Sequence, residues 1–79
     1  MSDVKQTLRT FICAELIGDP SYPLRDDEPL MSDGLIDSFA LAHIAVFIED
    51  TFGVYIPDVD LVVEEFDTLD QIAARVGRR

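Results

Sequence analysis

Positive charge is scarce in this sequence. Six Lys and Arg stand against sixteen Asp and Glu, which gives a formal net charge of −10 over 79 residues. No Lys or Arg occurs from Asp26 to Ala74. The acids of that stretch are Asp26, Asp27, Glu28, Asp33, Asp37, Glu49, Asp50, Asp58, Asp60, Glu64, Glu65, Asp67 and Asp70. A nucleic-acid-binding protein needs a basic surface that displaces counterions, so nucleic acid is excluded as a partner, and docking on an anionic membrane is disfavoured.

Cysteine and long apolar runs are equally scarce. The single cysteine, Cys13, has no partner for a disulfide within the chain. No apolar run is long enough to span a bilayer, and the residues after Met1 lack the basic and apolar regions of a signal peptide. Apolar residues make up 48% of the chain, enough for one small core but not for a sheet-based enzyme fold. We therefore expect a soluble, cytoplasmic, monomeric protein with a single domain over residues 1–79, free-standing rather than cut from a larger synthase.

Three segments place apolar residues at helical spacing, and a glycine follows each of them. The segments are 4–17, 38–52 and 68–76, followed by Gly18, Gly53 and Gly77. Glycine at this position commonly ends a helix in the left-handed conformation. The last segment opens with Thr68-Leu69-Asp70-Gln71, the pattern of a capping box. A short helical turn is expected at 59–63, with Asp58 as its cap. The pattern predicts an all-α fold, a four-helix bundle of three long helices and one short.

The connection between the first two predicted helices is long, from Gly18 to Ser38. Loops of this length in compact domains are usually functional or disordered. Its apolar residues, which predict packing across the helices, are Leu24, Leu30, Met31, Leu35 and Ile36. Ser38 follows the loop and opens the second predicted helix. Its hydroxyl has two possible uses there: as an N-cap, or as the attachment point for a phosphodiester, because a helix N-terminus favours phosphate.

Other candidate chemistry is weak. Ser38 and His43 lie five positions apart on one helix, so His43 is turned away and cannot act as the base of a serine nucleophile. Asp58 and Asp60 begin like a calcium loop, but the central glycine is missing, and we expect no metal site. We interpret Cys13 as a small buried hydrophobe rather than a reactive thiol. His43 is expected to be an exposed surface residue, with a partner contact as the alternative. No catalysis is expected from this chain.

Three blocks of the sequence, taken together, resemble one known family. They are Asp33-Gly34-Leu35-Ile36-Asp37-Ser38-Phe39, then Ile48-Glu49-Asp50-Thr51-Phe52-Gly53-Val54-Tyr55-Ile56-Pro57, and Phe66-Asp67-Thr68-Leu69. This arrangement resembles the acyl carrier protein family over essentially the whole chain. The resemblance implies a four-helix bundle with a long first loop, and 4′-phosphopantetheine transferred from coenzyme A to Ser38. It also implies that Asp37 helps to hold the magnesium of the phosphopantetheinyl transferase.

The details of the resemblance bear on cargo and partners. The segment from Gly34 to Phe39 is most similar to free-standing aminoacyl carriers, such as D-alanyl carriers, and to small carriers of specialised biosynthesis. Fatty-acid carriers usually show acids early in the second helix, whereas here none appears before Glu49. We therefore expect an amino acid or a short acyl group, held as a thioester, loaded by an acyl- or aminoacyl-adenylating ligase and passed to downstream acyl-transfer enzymes.

The second predicted helix also carries the expected partner surface. Its residues are Phe39, Ala42, Val46, Phe47, Glu49 and Asp50. A small, charge-steered interface of this kind suits partners that must bind and release quickly. The alternative hypothesis is a non-catalytic helical protein-interaction module that keeps a carrier-like fold but is not modified.

Overall fold

All regular elements in the part of the chain that the computed structural model describes, residues 2–77, are helical. The helices are α1 (Ser2–Phe11), α2 (Ala40–Phe52), α3 (Val63–Phe66) and α4 (Leu69–Gly77). Wider π-helical turns continue α1 through Ile12–Ile17, and a 3₁₀ turn at Asp58–Asp60 precedes α3. The predicted all-α architecture, with three long helices, one short helix and a long first loop, is confirmed.

The first helical segment ends as its sequence predicts. Leu8 and Ile12 are fully buried on its inner face. In the final π-helical turn, the carbonyl of Cys13 accepts the N–H of Gly18 and, at 2.8 Å, the N–H of Asp19. Gly18 has φ +84°, a backbone conformation that side chains with a Cβ rarely adopt. The chain therefore turns sharply into the long loop at Gly18.

The core is made only of apolar side chains. Its fully buried members come from all four helices and from the loop: Leu8, Ile12, Leu30, Ile44, Ile48, Phe66, Leu69 and Ile72. No polar or charged residue is buried within the described part of the chain. Burial of this apolar surface is the main stabilising term for a fold that has no disulfide.

The long first loop packs across the helices, as expected. Leu24, Leu30 and Ile36 are buried, and Met31 and Leu35 pack partly buried against the same core. The Ile36 N–H donates to the carbonyl of Leu30 at 2.9 Å, which closes a compact turn just before the start of α2. The loop is thus an ordered part of the fold that fixes where α2 begins.

The capping box at the start of α4 is confirmed. Thr68 Oγ1 accepts the Gln71 N–H at 3.1 Å, and Gln71 Oε1 accepts the Thr68 N–H at 3.2 Å. Gln71 also donates from Nε2 to the carbonyl of Glu64 at 2.9 Å. This one side chain therefore both caps α4 and ties it to α3.

Two local expectations are wrong. The short helix lies at Val63–Phe66 rather than at 59–63, because Phe66 is the residue that enters the core, whereas Val59 is 84% exposed. Asp58 begins the 3₁₀ turn but caps nothing with its side chain. Gly77 is the last residue of α4 and does not have a positive φ. No helix within residues 2–77 is long and apolar enough to cross a membrane.

Candidate functional site

Ser38 lies in a tight turn between the long loop and α2. The side chain before this turn, Ile36, is buried, whereas Ser38 itself is exposed. The helix proper starts at Ala40, two residues later than the sequence predicts. Its first hydrogen bonds span three residues: the Ala40 N–H donates to the Asp37 carbonyl at 3.1 Å, and the Leu41 N–H donates to the Ser38 carbonyl at 3.1 Å. The buried Ile36 and Ala40 therefore hold Ser38 on the surface from both sides.

Asp37, not Ser38, supplies the side-chain cap at this end of α2. Asp37 Oδ1 accepts the N–H of Phe39 at 3.1 Å. The interpretation of Ser38 as an N-cap is therefore wrong, since a carboxylate one residue earlier takes that place, where the helix dipole favours negative charge. No group among the described residues hydrogen-bonds the Ser38 hydroxyl. This hydroxyl is consequently accessible and unengaged.

Asp67, between α3 and α4, anchors the loop that leads to Ser38. Asp67 Oδ1 accepts the N–H groups of Met31, at 2.7 Å, and Ser32, at 3.1 Å. Its Oδ2 accepts the Ser32 hydroxyl at 2.5 Å, and its backbone carbonyl accepts the Leu30 N–H at 2.6 Å. Burial alone would raise the pKa of Asp67, but these hydrogen bonds favour the charged form and together hold the pKa below its ordinary value.

Sequence reasoning missed this role of Asp67. It noticed the block Phe66-Asp67-Thr68-Leu69, but not that the carboxylate reaches back to a turn 35 residues earlier. The only available signal was a carboxylate directly before a capping box and a long loop in need of an anchor. Through Asp67, the α3–α4 junction positions the turn from which α2 and Ser38 follow.

The exposed side of α2 carries five of the six residues expected at the partner surface. Phe39 is 81% and Val46 58% exposed, and Ala42, Glu49 and Asp50 are exposed as well. Spacings of three and four residues place these side chains along one side of the helix, with the apolar ones nearest Ser38 and the acids at the far end. We call these five residues the α2 face.

Phe47 is the exception. Its half-buried ring stacks on Phe11 of α1, with the ring centroids 4.1 Å apart, and meets the edge of Phe52 at 6.2 Å. This arrangement places Phe47 in the contact between α1 and α2, away from the α2 face. Its energetic contribution is therefore to helix packing.

The basic residues of the described chain are ion-paired away from α2. Lys5 of α1 contacts Asp70 at 2.7 Å and Asp26 at 3.2 Å, and these two carboxylates raise the pKa of Lys5, with the hydrogen bond to Asp70 as the larger cause. The other pairs are Arg9 with Asp26, Arg25 with Asp27 and Arg75 with Asp60. None of these pairs within residues 2–77 involves Glu49 or Asp50. The negative charge of the α2 face is therefore not neutralised by its own chain.

Cys13 and His43 lie where the sequence predicts. Cys13 is 2% exposed, and its thiol donates to the carbonyl of Tyr22 at 3.6 Å. Burial raises the pKa of this thiol, which keeps it protonated and unreactive. His43 is exposed on α2. Among residues 2–77 there is no group of three His, Cys, Asp or Glu side chains that could hold a metal ion.

Comparisons with known proteins agree with this geometry. The family model "Phosphopantetheine attachment site" matches residues 6–76. No match is found among curated proteins. The solved structure "Crystal structure of FAD-dependent dehydrogenase" has a chain that is similar with a TM-score of 0.74 and 26% identity, over 87% of this chain and 97% of that chain. These two coverages make the matched chain about 70 residues long, a size that suits a carrier domain rather than a flavin-binding fold.

The family match accounts for the main features of the site. Domains of this family are attachment sites for covalently bound 4′-phosphopantetheine, and the predicted cofactor is thereby confirmed. The described residues fit such a group, because an unengaged serine hydroxyl lies exposed at the start of a 13-residue helix. Such domains are carriers rather than catalysts, and phosphopantetheinyl transferases and acyl-handling enzymes are their general partners. With the family model matched over nearly its whole length, the chain belongs to the phosphopantetheine-binding carrier family.

Proposed function

We propose that Ser38 is the attachment residue, and that residues 1–79 act as one carrier domain. The observation that carries this proposal is the free Ser38 hydroxyl at the N-terminus of α2, since Asp37 has taken over the cap. Backbone N–H groups and the helix dipole favour a phosphate at that position. Ser32, the other serine of the same loop, is engaged by Asp67 and is a poor candidate.

The attachment reaction needs a nucleophile that a second enzyme can reach. Ser38 Oγ attacks the β-phosphorus of coenzyme A and forms a phosphodiester, while the pyrophosphate bond breaks and adenosine 3′,5′-bisphosphate leaves. The transferase takes the hydroxyl proton. Asp37 uses Oδ1 for the Phe39 N–H, so its carboxylate is held beside Ser38, where it can also contribute to the transferase's magnesium site.

Mass spectrometry of a peptide from the reacted protein tests the choice of serine. After incubation with coenzyme A and a broad-specificity transferase, cleavage following Glu28 and Glu49 gives the peptide 29–49, which contains Ser32 and Ser38. Fragment ions should place the added phosphopantetheine on Ser38. Ser32 is the internal control, since it has the same hydroxyl chemistry within six residues. Modification of Ser32 instead would contradict the proposal.

The attached group supplies a terminal thiol that holds cargo as an activated thioester. The α2 face is suited to present that cargo, since it combines exposed apolar residues next to Ser38 with acids that steer a basic partner. The flexible attachment raises the effective concentration of cargo at the partner's active site. A small interface of this kind allows rapid exchange between successive enzymes.

We further propose that the cargo is an amino acid or a short, specialised acyl group, loaded by a dedicated adenylating ligase. The first two turns of α2 expose Phe39, Ala42 and His43 but no acid. An enzyme that recognises fatty-acid carriers through basic residues lacks its early contacts here, each worth about 1–3 kcal/mol. Exclusion of wrong partners therefore needs no new attraction.

A competition assay tests this choice of cargo. The phosphopantetheine-loaded protein is offered to a malonyl transferase of fatty-acid synthesis and, separately, to the adenylating ligases of its host. We expect thioester formation with one of the ligases and little malonyl loading. Efficient malonyl loading, with none from any ligase, would overturn the assignment of cargo.

A flavin-dependent dehydrogenase is a candidate for a later partner. The support is the similarity to a chain of carrier size in the structure described as a FAD-dependent dehydrogenase. In such a step, the acyl thioester loses a proton from its α-carbon and a hydride from its β-carbon to FAD, which becomes reduced. Bleaching of the flavin absorbance by acyl-loaded protein, but not by the unloaded carrier, would support this partner. An unchanged spectrum with the cargo confirmed by mass would remove it.

The alternative function is a helical interaction module that is never modified. It uses the same fold and the same acidic face, and differs only in the fate of Ser38. The free hydroxyl and the family match both favour the carrier. A chain that stays unmodified with several transferases would favour the interaction module.

A further inference from the structure

A cleft of about 670 Å³ opens beside Ser38, between the end of the first helical segment, the long loop and the first turns of α2. The lining residues that matter for the argument are Glu15, Leu16, Met31, Leu35, Asp37 and His43. Both chain neighbours of Ser38, Asp37 and Phe39, line this cleft. The cleft therefore begins at the residue that we assign as the attachment point.

The lining has a mixed chemistry. Leu16, Met31 and Leu35 are partly buried and supply apolar walls. Glu15 and His43 are exposed and supply a carboxylate and an imidazole. Clefts of about 300–1,000 Å³ with mainly apolar walls and a few polar groups are typical of small-molecule sites. A ligand with both apolar groups and amides would match this lining.

We infer that this cleft is the resting seat of the phosphopantetheine arm, an inference that rests on the proposed attachment at Ser38. The arm carries a dimethyl group and methylenes, which suit the walls formed by Leu16, Met31 and Leu35. It also carries two amides, whose N–H and C=O groups suit the Glu15 carboxylate and the His43 imidazole. Because the cleft starts at the neighbours of Ser38, an arm attached there reaches it without any movement of the backbone.

The seat gives the cleft a role in handling cargo. An arm held against Met31 and Leu35 keeps its thioester close to the protein surface between encounters, which limits its contact with water. A partner that binds the α2 face contacts Phe39 at the edge of the cleft, and is thereby placed to draw the arm out. The energy of seating must be small, since the arm has to leave at each transfer.

Nuclear magnetic resonance on methyl-labelled protein tests the seat. The chain contains only two methionines, so ¹³C-methyl labelling of Met gives a sparse spectrum in which Met31→Leu identifies the Met31 signal. The unmodified and the phosphopantetheine-loaded protein are compared, with the mass confirming complete loading. We expect the Met31 methyl signal to shift on loading and to show nuclear Overhauser effects to the dimethyl group of the arm.

Two matched variants control for effects outside the cleft. His43→Trp places a large ring at the cleft, whereas Val46→Trp places the same ring further along α2, at a residue that does not line the cleft. The Overhauser effects should be lost in His43→Trp and retained in Val46→Trp. Fully loaded wild-type protein without these effects, or equal effects in both variants, would overturn the seat. Failure of loading would instead count against the attachment at Ser38, so the two proposals are tested separately.

Discussion

At the start of α2, two adjacent polar residues occupy different positions. The Asp37 carboxylate faces the backbone and accepts the Phe39 N–H, whereas the Ser38 hydroxyl has no partner among the described residues. The structural role and the chemical role are thus carried by separate side chains. A serine that also capped the helix would have to give up that hydrogen bond on modification.

This separation predicts opposite effects for two alanine variants. Ser38→Ala should change the free energy of unfolding by less than about 0.5 kcal/mol, since no cap is lost. Asp37→Ala should lower it by about 1 kcal/mol, because the N-terminus of α2 loses its side-chain cap. Urea unfolding followed by circular dichroism measures both. A larger loss in Ser38→Ala than in Asp37→Ala would show that the assignment of the cap is wrong.

The residue that caps α2 could not be chosen from the sequence. Asp and Ser are about equally good N-caps, so the pair Asp37-Ser38 fits a helix that starts one residue earlier or later. The exposure of Phe39 and Val46 was within reach, because helical spacing separates them from the core positions Ile44 and Ile48. The stacking of Phe47 on Phe11 was not, since it depends on how α1 packs against α2.

At the scale of the element, Phe47 and Val46 separate packing from recognition. Phe47→Ala should lower the free energy of unfolding by about 2 kcal/mol or more, since the stack with Phe11 and its buried area are lost. Val46→Ala, at a side chain that is 58% exposed, should change it by less than about 0.5 kcal/mol. Thermal and urea unfolding test this pair. Equal losses would contradict the division between the α2 face and the helix contact.

Asp67 predicts a pH dependence of stability. Its pKa in the folded protein lies below the ordinary value of 3.8, because hydrogen bonds from Met31 and Ser32 favour the charged form. The contribution is therefore complete above pH 3.8, and is lost as the pH falls through the lower folded-state pKa. Asp67→Asn should be less stable at neutral pH and should lose less further stability on acidification.

Unfolding in urea between pH 2 and pH 7 measures this slope. Ser32→Ala removes only the hydroxyl contact with Asp67, so its slope should lie between those of the wild type and Asp67→Asn. Loading of Ser38 by the transferase should also be slower in Asp67→Asn, because the turn before α2 loses its anchor. An unchanged acid limb in Asp67→Asn would remove Asp67 as that anchor.

The elements differ in how well the sequence predicts them. The apolar period of α1, α2 and α4 and the capping box of Thr68 and Gln71 are local signals, and they located these helices to within about two residues. The four-residue α3 has no room for a period, and burial of Phe66 against distant residues sets its position. The contacts from Asp67 to the loop span 35 and 36 residues and leave no local pattern.

At the scale of the whole molecule, the net charge of −10 is unevenly arranged. Lys5, Arg9 and Arg75 pair with acids beside α1 and α4, so the field on the α2 face stays negative. Charges at the edge of an interface act mainly on encounter, and salt screens them. The arrangement is therefore expected to speed the approach of basic partner enzymes.

Two charge reversals of equal size test this steering. Asp50→Lys should slow association with the transferase, whereas Asp27→Lys, which makes the same change next to Arg25, should have little effect. Reversal of Glu49 should act like that of Asp50. Stopped-flow measurements at low salt, and at about 0.5 M where the Debye length is about 4 Å, give the on-rates. On-rates that do not change with salt would exclude steering.

The central claim is that this molecule carries phosphopantetheine on Ser38, and intact-protein mass spectrometry tests it most directly. The wild type and Ser38→Ala are incubated with coenzyme A and a broad-specificity transferase, after circular dichroism has shown that both are folded. The account predicts that the wild type gains the mass of one phosphopantetheine and that Ser38→Ala gains none. A Ser38→Ala protein that still acquires this mass, or a folded wild type that never does, would contradict it.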